Sequence, residues 1–131
     1  MPAKDKKYSI LIIDDDAFLI DMYALKFTQQ GFEVVTAPGT LQAIEMLETG
    51  IDPDIVLVDI VMPTMDGFEF LARIKEDKLA DRAMKIVLSN LGQQEDIDRG
   101  IALGAIGYIV KASATPSEVV SKVEELIEKQ K

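Results

Sequence analysis

Short apolar runs alternate along this chain with segments in which apolar residues recur at helical spacing. The runs predict strands and the spaced segments predict helices. The predicted strands are residues 8–13, 32–36, 54–58, 84–88 and 107–110, and the predicted helices are residues 17–29, 40–48, 66–76, 94–103 and one beginning after Thr115. Because strands and helices alternate, we expect an α/β domain with a parallel sheet. The strands are apolar throughout, which is typical of strands covered by helices on both faces.

The last helix has the clearest start signal. Thr115 can cap it, Pro116 suits its first turn, and Glu118 completes a capping box. One apolar stripe follows, formed by Val119, Val120, Val123, Leu126 and Ile127. Such a stripe predicts a helix with one face packed on the sheet.

Polar and charged side chains follow four of the predicted strands at the points where the strands end. They are Asp14, Asp15 and Asp16 after the first strand, Asp59 after the third, Ser89 after the fourth and Lys111 after the fifth. Taken singly, Asp and Ser are ordinary turn residues, and Asp16 suits the cap of the first helix. The carboxyl ends of parallel strands share one edge of a sheet, where ligands of open α/β sheets bind. Together, these residues therefore predict a site.

Clustered carboxylates repel one another, so the predicted site calls for a cation. Mg²⁺ is the natural choice, because it prefers carboxylate, water and phosphate oxygens. A carboxylate beside Mg²⁺ and Lys111 can attack phosphorus and form an aspartyl phosphate. Lys111 and the Ser89 hydroxyl can then bind phosphoryl oxygens. The chain has no His, and none is required if the phosphoryl donor brings its own.

Composition narrows the class of protein. The 131 residues, 48% of them hydrophobic, suit one domain with an ordinary core. A formal net charge of -9 argues against a nucleic-acid partner, and the absence of Cys excludes disulfide and thiolate chemistry. The N-terminus has no apolar stretch of signal-peptide length, and the longest apolar run is too short to span a bilayer. We therefore expect a cytoplasmic protein without membrane partners.

A family resemblance rests on the string PDIVLVDIVMPTMDGFEFL, with ILIIDDD before it and IVLSN and GYIVKA after it. These segments closely resemble the receiver domains of two-component response regulators. The resemblance covers residues 8–129 and leaves residues 1–7 as an N-terminal tail. It implies a doubly wound (βα)5 fold of the flavodoxin-like, CheY-like type, with five parallel strands in the order 2-1-3-4-5. It also implies a phosphorylation-activated switch of a phosphorelay, and not an enzyme beyond its own phosphorylation and dephosphorylation.

The resemblance assigns roles to the residues at the strand ends. It implies that Asp59 is the phosphoacceptor, that Ser89 and Lys111 bind the phosphoryl group, and that Tyr108 is an aromatic switch. The implied Mg²⁺ ligands are Asp14, Asp15, Asp59 and the backbone carbonyl of Val61. Pro63 and Gly67 match the family's loop after the phosphoacceptor, where glycine tolerates backbone angles that other residues resist.

The implied switch moves Ser89 toward the phosphoryl group and turns Tyr108 inward. This movement would reshape the face made by the fourth helix, fifth strand and fifth helix, so that it controls a downstream protein or a fused effector. A homodimer through the same face is a further expectation. The fourth helix has a thin apolar stripe at Ile97 and Ile101 and contains Gly100, so we expect it to be weakly held. The alternative for Tyr108 is a half-buried aromatic without a switching role.

The expected donor is a sensor histidine kinase or a histidine phosphotransfer protein. Its contact is expected near the first helix, where Phe18, Leu19, Met22 and Tyr23 form more than one apolar stripe. The alternative is a helix that is broadly buried in the core.

Three departures from the family pattern bear on the site. Ala112 stands where the family commonly has Pro after the lysine, so the Lys111–Ala112 bond is either a strained cis bond or a trans bond that holds Lys111 differently. Asn90 stands where a smaller residue is common and would narrow access to the phosphoryl group. Val61 and Leu91 offer attacking water no polar group, so we expect slow hydrolysis of the aspartyl phosphate.

Three other functions fit parts of the sequence. A phosphohydrolase of the haloacid dehalogenase type would use Asp14 and Asp16 as nucleophile and acid-base catalyst, but the DIVMPTMDG segment would then have no role. An FMN-binding flavodoxin needs hydrogen-bond donors for the flavin phosphate, but the segment LIIDDD places carboxylates at that position. A degenerate receiver acting as a constitutive interaction module is disfavoured by the complete set of site residues, although Ala112 leaves it open.

Overall fold

Five strands and five α-helices alternate along the chain in the computed structural model, which describes residues 7–90 and 92–130. The strands are β1 (Ser9–Ile13), β2 (Glu33–Ala37), β3 (Ile55–Asp59), β4 (Met84–Ser89) and β5 (Ala105–Val110). The helices are α1 (Ala17–Gln29), α2 (Thr40–Glu48), α3 (Gly67–Glu76), α4 (Gln94–Ala102) and α5 (Pro116–Lys129). A turn of 3-10 helix, Lys111–Ser113, joins β5 to α5. Residues 1–6 of the expected tail and Leu91 lie outside the described residues.

The strands form one parallel sheet in the order β2-β1-β3-β4-β5. This order confirms the predicted α/β fold. The winding reverses between β1 and β3, whose pairing aligns Ile13 with Val58. The residues that follow Ile13 and Val58 therefore lie side by side at the carboxyl edge, which is the position of the ligand crevice in such sheets.

Two apolar layers cover the two faces of the sheet. Alternate residues of β1 point to opposite faces, so Leu11 and Ile13 belong to one cluster and Ile10 and Ile12 to the other. The first cluster contains the buried residues of α2 and α3, and the second contains those of α1 and α5. The prediction of burial on both faces holds for β1, β3 and β4, but it is wrong for the edge strand β2, where Glu33 and Thr36 are exposed. An edge strand has a neighbour on one side only, so its cover is incomplete.

Helix starts follow local signals closely. Asp16 caps α1 by accepting a hydrogen bond from the Leu19 amide at 3.1 Å, as expected. The predicted capping box of α5 is also present, with the Glu118 amide donating to the Thr115 hydroxyl at 3.1 Å. A second capping box, between Asp66 and Glu69, begins α3 and was not predicted. Most strands begin or end one residue later than expected, and β5 begins two residues earlier, at Ala105.

The helix α4 is held differently from the expectation. Ile101 is 58% exposed and does not belong to a buried stripe. The buried residue of α4 is Gly100, where an added Cβ would lie 3.3 Å from the Val87 side chain. The Arg99 guanidinium stacks 4.5 Å from the centre of the Phe68 ring and joins α4 to α3. The expectation of a weakly held helix therefore stands, because little apolar area anchors α4.

No helix in the described part of the chain is long and apolar enough to cross a membrane.

A polar network joins the strands at the opposite, amino edge of the sheet. The Ser9 amide donates to Asp54 Oδ2 at 2.8 Å, which links the starts of β1 and β3. Arg82, before β4, donates to Asp54 Oδ1 at 2.6 Å. Burial alone would raise the pKa of Asp54, but the hydrogen bonds from Arg82 and Ser9 outweigh it and lower the pKa. The ionised form of Asp54 therefore stabilises the fold.

Replacing Asp54 by Asn should lower the free energy of unfolding at neutral pH by about 1–2 kcal/mol, because a charged hydrogen-bond acceptor is lost. A carboxyl whose pKa is lowered on folding stabilises the protein above its unfolded pKa and stops doing so as pH falls through the folded value. The difference between wild type and Asp54→Asn, measured by urea unfolding, should therefore vanish in acid. Asp52→Asn is the matched control, since Asp52 pairs with the same Arg82 at 2.9 Å but its side chain is 62% exposed, so its loss should cost much less. An equal loss in both variants would contradict the assignment.

Candidate functional site

Three carboxylates meet at the carboxyl edge of the sheet. Asp14 follows β1 and is fully buried, whereas Asp59 is the last residue of β3 and is 3% exposed. Asp15 is exposed at the rim. One oxygen from each of these three side chains lies within 4.8 Å of the others. The backbone orients the Asp14 carboxylate, because Asp14 Oδ1 accepts a hydrogen bond from the Asp16 amide at 2.9 Å.

Lys111 crosses from β5 to join two of these carboxylates. Its Nζ lies 2.8 Å from Asp14 Oδ2 and 2.9 Å from Asp59 Oδ2, and its side chain is 9% exposed. The described residues contain no cis peptide bond, so the Lys111–Ala112 bond is trans. Ala112 therefore leaves Lys111 in contact with the site.

The donor set fits a hard divalent cation. Asp14 Oδ2 is buried and meets the Lys111 ammonium at 2.8 Å. One ammonium does not balance the three clustered carboxylates of Asp14, Asp15 and Asp59, and the exposed Asp15 would complete an oxygen site open to water. The residues present therefore fit Mg²⁺.

The pocket raises the pKa values of both Asp59 and Lys111. Burial raises the pKa of the Asp59 carboxyl, the bonded ammonium of Lys111 lowers it, and the Asp14 charge raises it again; the net shift is upward. For Lys111, burial alone would lower the pKa, but the two carboxylates outweigh burial and raise it. Lys111 therefore stays charged, and the two buried carboxylates share one cation.

The loop after Asp59, residues 60–66, is called here the Asp59 loop. The Val61 amide donates to Asp59 Oδ1 at 3.2 Å, and the Val61 side chain is 64% exposed. The expectation that Gly67 is needed for unusual backbone angles is wrong, because the described positive-φ glycines are elsewhere. A Cβ at Gly67 would lie 2.5 Å from the Asp59 carbonyl oxygen, so the close approach of α3 to β3 requires glycine. Thr64 has the positive φ of this loop, 71°.

One residue at this loop was not predicted from the sequence. Thr40, at the start of α2, is 1% exposed, and its hydroxyl donates to the Met65 carbonyl at 2.7 Å. A signal was present, because Thr40 shares the buried stripe of Ala43, Ile44 and Leu47. A polar residue on an apolar stripe needs a hydrogen-bond partner from another element.

The remaining predicted residues lie around the same edge. Ser89 is the last residue of β4 and is 4% exposed. Tyr108 is half-buried in β5 and packs against the first core cluster. Asn90 and Ala112 line the open pocket above Asp59 together with Val61. Leu91 lies outside the described residues.

The apolar residues of α1 divide between the core and the surface. Tyr23 is buried in the second cluster, and burial raises its pKa to about 12, with Lys111 opposing the shift. Leu19 lines the pocket, and Phe18 is 72% exposed. A broadly buried helix is therefore wrong for Phe18, and a partner-facing role is wrong for Tyr23.

Comparison with known protein families identifies the family of this chain. A family model described as the response regulator receiver domain matches residues 10–124. The chain belongs to this family. It is a receiver domain of two-component response regulators, as the resemblance implied.

Curated relatives include receivers in proteins of different lengths. The receiver is 35% identical over 109 residues to the chemotaxis protein CheY of Halobacterium salinarum, covering 82% of this chain and 88% of CheY. It is 31% identical to the phosphate regulon transcriptional regulatory protein PhoB of Pseudomonas aeruginosa, covering 91% of this chain and 51% of PhoB. The chain thus spans about half of the length of PhoB.

A solved CheY-like receiver from Methanospirillum hungatei is similar in fold, with a TM-score of 0.83 and 26% identity; the match covers 95% of this chain and 97% of that one.

Receiver domains are signalling switches. In this receiver, one oxygen of Asp16 caps α1, which accounts for Asp16 without the acid-base role of the phosphohydrolase alternative.

Replacing Lys111 of this receiver by Met should lower the free energy of unfolding in metal-free buffer by about 3 kcal/mol, because two buried carboxylates lose their counter-charge. A carboxyl whose pKa is raised on folding favours the fold when it is protonated. The loss should therefore shrink as pH falls through the raised pKa of Asp59, and added Mg²⁺ should also reduce it. Thermal and urea unfolding measure both effects. Lys75→Met, which removes an exposed Lys of α3, should change little. A loss that is independent of pH and Mg²⁺ would contradict the counter-charge role.

Proposed function

We propose that this receiver is a phosphorylation-controlled binding switch that accepts a phosphoryl group on Asp59. The observation that carries the proposal is the ion pair of Lys111 with Asp59 at 2.9 Å, inside a cluster of three carboxylates. Asp14, Asp15, Asp59 and the Val61 carbonyl would hold Mg²⁺. When bound, Mg²⁺ would neutralise charge that develops on the phosphoryl oxygens.

The chain's own groups suit attack on a phosphohistidine. An Asp59 oxygen forms the new bond to phosphorus while the bond from phosphorus to the donor imidazole nitrogen breaks, and that nitrogen takes up a proton. Lys111 keeps Asp59 ionised before the reaction and then pairs with a phosphoryl oxygen. Ser89, at the adjacent strand end, would donate its hydroxyl to another phosphoryl oxygen.

The output face is proposed to be α4, β5 and α5. Tyr108 lies half-buried in β5, and α4 has little buried apolar area, so this side can change its packing at low cost. The movement of Ser89 toward the phosphoryl group and of Tyr108 inward would couple the site to this face. Its targets would be a downstream protein, a fused effector or a second copy of the chain.

The proposed donor is a sensor histidine kinase or a histidine phosphotransfer protein in the cytoplasm. The exposed Phe18 and the pocket-lining Leu19 stand beside the acidic pocket and suit that contact. The two relatives named above differ in output: CheY is named as a chemotaxis protein and PhoB as a transcriptional regulatory protein of the phosphate regulon. The receiver unit proposed here is residues 8–129.

Titration of the receiver with beryllofluoride and Mg²⁺, followed by amide NMR, tests the switch. We expect shifts that begin at Asp59 and extend to Tyr108 and α5. Asp59→Asn should abolish the response, because the carboxylate ligand is lost, whereas Asp16→Asn should keep it, because Asp16 is a helix cap. Wild type without any shifts would refute the phosphoacceptor role. Shifts confined to the pocket would refute the output face.

The aspartyl phosphate should hydrolyse slowly, because the exposed Val61 offers attacking water no polar group. Val61→Asn, alone or combined with a polar residue in place of Leu91, should shorten the lifetime of the aspartyl phosphate severalfold. Decay of the protein labelled from acetyl phosphate measures this, with Ile51→Asn as an exposed control before the start of β3, at the opposite edge of the sheet. An unchanged lifetime in both site variants would exclude this explanation.

A further inference from the structure

The Asp59 loop contains a strained turn. Thr64 has φ 71°, a region that β-branched residues rarely adopt. The Met65 amide donates to the Pro63 carbonyl at 2.8 Å, so the turn has the φ and the hydrogen bond of a γ-turn. A strained turn persists only where its surroundings hold it in place.

The ends of the loop are fixed by α3. The Gly67 amide donates to the Ile60 carbonyl at 2.8 Å, and the close approach at Gly67 leaves no room for a Cβ. These contacts close the loop, but they do not reach its middle, where Thr64 and Met65 lie. Val61, whose amide bonds Asp59, lies in the same loop, between the end held at Ile60 and the strained turn at Thr64.

Thr40 supplies a contact to the middle of the loop from a different helix. Its hydroxyl, buried at 1% exposure, donates to the Met65 carbonyl across 25 residues of sequence. The hydroxyl does not serve its own helix, because α2 is capped at Gly39 without a side-chain hydrogen bond. The partly buried Met65 carbonyl is thereby satisfied, and the strained turn is tied to the core-packed α2.

We propose that Thr40 is a positioning residue for the metal and phosphoryl site. Its hydroxyl holds the Asp59 loop so that the Val61 amide bonds Asp59 and the Val61 carbonyl would be available as a metal ligand. The metal part of this inference rests on the proposed function. The loop part does not, because the hydrogen bonds are made by the protein alone.

Thr40→Val tests the inference, because it keeps the shape of the side chain and removes only the donor. Mg²⁺ affinity, measured by isothermal titration calorimetry, should weaken by about 3- to 10-fold, which corresponds to the loss of one hydrogen bond. In metal-free protein, amide hydrogen exchange at Met65 and Gly67 should accelerate by a similar factor. Thr40→Ser, which keeps the hydroxyl, should restore both values.

Ser9→Ala is the matched control, because it removes a hydroxyl that donates to Asp54 Oδ2 and accepts from the Asp54 amide, at the opposite edge of the sheet. It should lower the overall stability without changing Mg²⁺ affinity. Should Thr40→Val fold poorly, Thr40→Ala gives the same readouts without a branched side chain at the helix start.

The outcomes separate the two proposals. Normal Mg²⁺ affinity and normal exchange in Thr40→Val would overturn the positioning role, and so would an equal loss of affinity in Ser9→Ala. A wild-type protein that binds no Mg²⁺ would overturn the proposed function, and the exchange rates of the metal-free variants would still decide the role of Thr40.

Discussion

Two buried carboxylates that share one ammonium impose the central constraint on this protein. Asp14 and Asp59 are almost inaccessible to water, and Lys111 is the cation within bonding distance of both. Buried charges are tolerated only when they are paired. The fold must therefore bring these groups together: the reversal of the winding places the ends of β1 and β3 side by side, and the side chain of Lys111 reaches both carboxylates from β5, beyond β4. The site retains an excess of negative charge, which is the physical reason that it suits a second cation.

Packing around Asp59 is tight and leaves few alternative arrangements. Gly67 lets α3 touch the Asp59 backbone, and Thr40 ties the Asp59 loop to α2. Closely packed elements transmit a change in position instead of absorbing it. A charge placed on Asp59 would therefore act on its neighbours rather than on its own loop.

The other side of the molecule is packed less tightly. The helix α4 is held by Gly100 and by the stacking of Arg99 on Phe68, whereas α5 buries Val119, Val120, Val123 and Ile127. A firmly held α5 beside a loosely held α4 gives a surface with more than one accessible packing arrangement. This contrast supports the proposal that the output face consists of α4, β5 and α5.

The sequence by itself determined the elements, their order and the residues at the strand ends. Apolar runs, helical stripes and local caps such as Asp16 and Thr115 act over a few residues, so they can be identified from the sequence alone. The motif around Asp59 also indicated the family, which the family model confirms. Only the tertiary structure decided that the edge strand β2 is partly exposed and that Ile101 is exposed to solvent. It also decided that Gly67 is required by a close contact with the Asp59 backbone and that the Thr40 hydroxyl bonds the Met65 carbonyl. These features depend on distances between residues far apart in the chain, and such distances are fixed by packing rather than by local pattern.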